Sequence, residues 1–99
     1  MEKTNNDFEK IINICINARQ ELLIGVPWWW DDEAGRVIRN EAIKAINRGV
    51  SVKVFIRPAK QNQRTINKLR DSGAEVTLIP TTHFKAICSE EERLSLIHI

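Results

Sequence analysis

A chain of 99 residues with 42% hydrophobic content fits one globular domain and excludes a disordered one. The net charge is only +2 and the signs are interspersed, so the polybasic tail of a strong nucleic-acid binder is absent. No run approaches the ~20 apolar residues of a membrane span, and the start, Met1 to Asn6, lacks a signal peptide's apolar stretch.

Asn6 followed by Glu9 is a capping-box-like start, and Phe8, Ile11, Ile12, Cys15 and Ala18 recur at helical spacing. This predicts a first helix from Asp7 to Arg19. Leu22 to Val26 reads as a buried strand closed by Pro27. After Trp28, Trp29 and Trp30, Asp31 and Asp32 offer an N-cap for a second helix with Val37, Ile38, Ala42, Ala45 and Ile46 as its inner stripe. Gly49 stands where a left-handed residue ends that helix. Val50, Val52, Val54 and Ile56 mark a second strand ending at Arg57-Pro58. A third helix spans about Gln61 to Ser72, with Ile66 and Leu69 as its only large apolar residues and Gly73 as its stop. So thin a stripe puts it at the domain edge, and Gln61 to Arg64 read as its exposed start. Ala74 to Ile79, His83 to Cys88 and Leu94 to Ile99 are three further strands, with Glu90, Glu91, Glu92 and Arg93 turning between the last two.

This order predicts an α/β fold with a mixed, mainly parallel sheet flanked by helices. Strands separated by helices are parallel, whereas strands joined by short connections run antiparallel. Cys15 and Cys88 lie in apolar runs without metal spacing, so both read as buried free thiols of a cytoplasmic protein. No set of histidines, cysteines and carboxylates has ligand spacing and no glycine-rich phosphate loop occurs, so neither metal nor cofactor is expected.

In an open α/β sheet, ligands bind beyond the carboxyl ends of the parallel strands. The first strand delivers Pro27 and the tryptophans to that edge, the second Arg57 and Lys60, and the third Thr81, Thr82 and then His83. Along the fourth strand His83 and Lys85 share one face, ~6–7 Å apart, while Phe84, Ala86 and Cys88 face the other way and are free to bury. An imidazole attacks phosphorus or shuttles a proton, and an ammonium neutralises phosphoryl oxygens. A surface strand with alternating polar residues gives the same pattern without any chemistry.

His83-x-Lys85 is followed, after four intervening residues, by Glu90. With Pro27-Trp28, Asn47-Arg48-Gly49-Val50, Arg57-Pro58 and the Gly73 turn before it, the chain from about Arg19 to Glu90 resembles the phospholipase D superfamily. That superfamily's signature is His-x-Lys, four residues, then Asp. The resemblance implies a phospholipase D-like half-domain that works without metal, because two motifs meet at one site. One histidine attacks phosphorus, the other protonates the leaving oxygen, and the lysines hold the phosphate. His83 and Lys85 would be the catalytic pair, Trp28, Trp29, Arg57, Lys60 and Thr82 would meet the substrate, and Glu90 would have a structural role. With one motif here, a homodimer or a second half-domain would complete the site, and a nucleic acid or another phosphodiester would be the substrate.

The sequence also departs from the pattern. Where the family continues with Gly-Ser, this chain has Ile97 and His98, and the apolar end Leu96 to Ile99 suggests a fragment of a longer protein. His98 could stand beside His83 if the last strands pair. Losing the Gly-Ser donors favours an alternative reading, a non-catalytic sensing or dimerisation domain of a transcription regulator.

Overall fold

The structure, a computed structural model, describes residues 2–81 and 85–95. In chain order the elements are α1 (Glu2–Asn17), β1 (Glu21–Val26), α2 (Glu33–Asn47), β2 (Ser51–Ile56), a 3-10 turn (Lys60–Asn62), α3 (Gln63–Ser72), β3 (Glu75–Leu78), β4 (Ala86–Ser89) and β5 (Arg93–Ser95). The five strands form one sheet in the order β3-β2-β1-β4-β5. β1, β2 and β3 are parallel, β4 runs antiparallel to β1, and β5 antiparallel to β4. This is the mixed, mainly parallel sheet that the element order predicts. The thin helix α3 packs beside β3, the strand at one end of the sheet.

Register explains which faces bury. Leu22 pairs with Val52, Ile24 with both Val54 and Ile87, and Val54 with Val76. Paired residues point to the same side of a sheet. All six are buried, in one core with Ile11, Ile14 and Cys15 of α1, Ala42 and Ala45 of α2, and Ile66 and Leu69 of α3. The three helices therefore cover a single face. The other face carries Leu23, Gly25, Phe55, Ala86 and Cys88, which are only half-buried.

Several expectations need correction. α1 begins at Glu2, so Asn6 lies within the helix and not at its start. Val37 is exposed, while Gly35, Arg39, Ala42 and Ala45 are the buried residues of α2. At ~100° per residue, Val37 sits about 200° from Gly35 and so on the outer side. In β4 the buried residue is Ile87, not Ala86 or Cys88, because the helices cover Ile87's side of the sheet. Cys15 is buried and Cys88 half-buried, and both are free thiols. The first residues expected of β4, His83 and Phe84, lie outside the described residues, as do Leu96 to Ile99 beyond β5.

Local signals fix the helix ends. Asp32 is the N-cap of α2, its carboxylate accepting from the Gly35 N–H at 2.8 Å. Gly49 and Gly73 follow α2 and α3 with φ of 97° and 111°, a region that side chains disfavour. α1 has no basic residue in its last turn, and Arg48 supplies one from the end of α2. Its guanidinium donates to the carbonyls of Cys15 and Ala18 at 2.8 and 2.9 Å, satisfying helix-end acceptors and opposing the helix dipole.

Candidate functional site

The ends of β1 and β2 share one edge of the sheet, because the strands are parallel and pair Val26 with Ile56. β4 begins at this same edge, since it runs antiparallel and pairs Ala86 with Gly25. One step beyond that pair, Lys85 stands level with Val26. Arg57 follows β2 directly, and Lys60 opens the 3-10 turn, exposed. Lys85, Arg57 and the tryptophans thus belong to one edge. His83 and Thr82, the other residues expected there, lie outside the described residues.

The tryptophan triplet divides by role. Trp29 is 5% exposed, whereas Trp28 and Trp30 are 37% and 57% exposed. The outward pair is therefore Trp28 and Trp30, where the sequence pattern nominates Trp28 and Trp29. The indole N–H of Trp29 donates to the Gly35 carbonyl at 2.9 Å, so the central ring is anchored under α2. Alternation then sends its neighbours outward. The rings of Trp28 and Trp30 stack with centroids 6.2 Å apart and planes 23° from parallel. The Arg57 guanidinium lies 5.2 Å from the centre of the Trp28 ring, within cation–π range.

Asn62 holds this arrangement and was not legible as a core residue, since it lies in a polar run. It is fully buried. Its side-chain oxygen accepts from the Trp29 N–H at 2.9 Å, and its amide donates to the carbonyls of Pro27 and Arg57 at 2.9 and 3.0 Å. One side chain therefore ties the end of β1 to the end of β2 through three hydrogen bonds to the backbone, two of them buried.

Asp31, expected with Asp32 as a cap, instead gathers arginines. It accepts from Arg39 at 3.1 Å and Arg36 at 3.3 Å, and Arg64 approaches to 3.7 Å. Desolvation pushes its carboxyl up, but the hydrogen bonds from Arg39 and Arg36 outweigh this and hold it below its ordinary value. Arg39 is itself buried and also donates to the Thr65 hydroxyl at 3.1 Å, which joins α2 to α3. Neither Arg39 nor Thr65 stands out in the sequence, because only their surroundings distinguish them from surface residues.

Glu90 stands at the opposite edge. Five residues along an extended chain separate it from Lys85 by ~17 Å. Its carboxylate accepts from the backbone N–H groups of Arg19, Gln20 and Glu21 at 2.8, 3.2 and 3.1 Å, which pins the β4–β5 turn to the segment that leads into β1. These bonds, led by that of Glu21, lower its pKa from 4.5 to about 2. Burial instead raises that of the Cys15 thiol to about 12, leaving it protonated and unreactive. Among the described residues no metal-binding group of histidines, cysteines and carboxylates occurs, and no helix is long and apolar enough to cross a membrane.

No family model and no curated protein matches this sequence. Solved structures do resemble it. NUC from Salmonella typhimurium, a phospholipase D family member, superposes with a TM-score of 0.70 at 18% identity, covering 83% of this chain and 56% of its own. NucT from Helicobacter pylori gives 0.72 at 14% identity, over 92% and 64%. TrmBL2, an archaeal chromatin protein whose structure shows a novel mode of DNA binding, gives 0.75 at 18% identity, over 95% and 37%. The chain thus spans less than two thirds of each of these molecules. At such identities the shared property is the fold, and this chain has a phospholipase D-like α/β fold.

Proposed function

We propose that this chain supplies one half of a phospholipase D-type phosphodiester site in a cytoplasmic protein, completed by a second copy or a second half-domain. In this reading the His83 imidazole attacks phosphorus, forming an N–P bond as the P–O bond to the leaving group breaks. The opposing histidine gives its proton to the departing oxygen. Water activated by that histidine then cleaves the N–P bond and restores the imidazole. Lys85 neutralises the phosphoryl oxygens throughout, with Arg57, Lys60 and Thr82 as a polar rim. The substrate class is a phosphodiester, nucleic acid among the candidates. The supporting observation is that Lys85, at the start of β4, and Arg57, at the end of β2, flank the end of β1 at one sheet edge, in a fold shared with a phospholipase D family member.

Titration with inorganic phosphate, followed by amide NMR signals, tests the reading. Signals of residues 82–86 and Arg57 should shift saturably, and Lys85→Ala should abolish the shifts. Signals that stay unmoved in the wild-type chain would overturn it.

A further inference from the structure

A second feature lies beside this edge, on the helix-covered face of the sheet. A cavity of about 310 Å³ is bounded by Ile24 and Ile87 from the sheet, Ile38 from α2, and all three tryptophans. We infer that this cavity, which borders the proposed phosphate site, is a binding site for an uncharged, largely apolar organic molecule, an aromatic bicycle being the best fit, and that it does not itself take phosphate.

Its lining selects the ligand. Among the described residues the only charged one in the wall is Asp32, whose carboxylate already accepts from the Gly35 N–H as the helix cap. Among the described residues no cationic side chain lines the cavity to receive a phosphate. A charged group placed there would lose its hydration without compensation. Water fares little better, since it needs two to four polar partners and the wall is built of isoleucine and indole. Indole faces and edges do favour an aromatic guest, in offset or edge-on contact. The volume is close to the lower end of the ~300–1,000 Å³ usual for small-molecule sites.

The walls are also fixed in place. Trp29 is held by its indole N–H on the Gly35 carbonyl and by its backbone N–H on Asn62. The Trp30 carbonyl packs directly on Gly35, where an added Cβ would collide with the oxygen. The tryptophan segment is thereby prevented from sliding inward to fill the space. A cavity that cannot collapse is already organised for a guest and loses little ordering entropy on binding. Trp28 and Trp30 remain exposed in the folded chain while lining this cavity, which leaves them available to a ligand.

These three residues are the chain's entire tryptophan complement and all line the cavity, so energy transfer from tryptophan reports a probe bound there. The test titrates the full chain with N-phenyl-1-naphthylamine, an uncharged apolar fluorophore. Energy transfer from tryptophan should saturate at one probe per chain, and excess inorganic phosphate should leave it unchanged. Ile38→Phe fills the cavity, and Ala34→Phe obstructs it from an exposed lining position outside the core. Each should weaken binding about tenfold or more with an unaltered circular dichroism spectrum. Transfer that fails to saturate, displacement of the probe by phosphate, or wild-type affinity in a folded Ala34→Phe chain would overturn the inference.

Discussion

At the scale of single residues, two polar side chains carry more structure than their chemistry suggests. Asn62 joins two strand ends through three hydrogen bonds to the backbone. Replacing it with alanine takes the side-chain partner from two buried groups, the Trp29 N–H and the Pro27 carbonyl, and removes a part-buried bond to the Arg57 carbonyl. Each such group costs ~1–3 kcal/mol, and partial access of water reduces the sum, so a loss of about 2–4 kcal/mol is expected. Urea unfolding of Asn62→Ala should show this, together with easier acrylamide quenching of tryptophan as the segment loosens. An unchanged midpoint would mean that Asn62 holds nothing. Glu90 makes a different prediction. A carboxyl whose folded pKa is depressed stabilises the fold above its unfolded value, and this contribution is lost as pH falls through the folded one. Here the window runs from 4.5 down to about 2. Wild-type stability should therefore fall more steeply across that window than the stability of Glu90→Gln, and the two should differ least at its acid end. Parallel curves would show that the three backbone bonds do not depend on the carboxylate's charge.

At the scale of elements, the clearest sequence signals are those with a local cause. β1 is legible as an apolar run closed by Pro27, and β2 as alternating β-branched residues between Gly49 and Pro58. α3 is legible as a thin helix because only Ile66 and Leu69 interrupt its polar run. What escapes the sequence depends on neighbours distant in the chain. Nothing in Ala86 to Ser89 says that β4 pairs with β1, and so nothing says that Ile87 will face the core while Cys88 stays half-buried. Asn62 and Arg39 escape for the same reason. A polar residue in a polar run reads as surface until a buried carbonyl or carboxylate is seen opposite it. At the candidate edge, Arg57 and Trp28 were legible from strand ends alone, but the exchange of Trp29 for Trp30 as the outward ring needed the anchor on Gly35. That anchor gives a further prediction. Gly35 is helical and has no unusual φ, so alanine should favour α2 by ~1 kcal/mol on propensity. Its Cβ would instead collide with the Trp30 carbonyl. Backbone is a poor thing to displace, so Gly35→Ala should destabilise by about 1–3 kcal/mol, as other overpacked sites do. It should also shift the tryptophan emission. A stabilised variant would show that the segment is free to move.

At the scale of the whole molecule, the described residues form one sheet with one helix-covered face, and the sequence holds one His-x-Lys pair. In-line displacement at phosphorus needs an attacking group on one side and a proton donor for the leaving oxygen on the other. In the proposed mechanism one copy supplies one histidine and one lysine, and so serves one side of phosphorus. A well-placed acid or base contributes ~10²–10⁴-fold to rate, so a solitary copy should hydrolyse phosphodiesters at or near background. Two copies related by a two-fold axis would bring a His83 to each side, because symmetry places the same patch of both copies at the interface. The two situations differ in how rate depends on concentration. Turnover of bis(p-nitrophenyl) phosphate or single-stranded DNA, measured in EDTA, should be absent while sedimentation shows a monomer. If the chain associates through this edge, specific activity should rise with the dimer fraction and disappear in His83→Ala. Mixing His83→Ala with wild type should then suppress activity beyond simple dilution, since every mixed dimer lacks one of its two histidines. Activity strictly linear in total protein, from a proven monomer and lost in His83→Ala, would show that this chain holds a complete site and would remove the need for a second half.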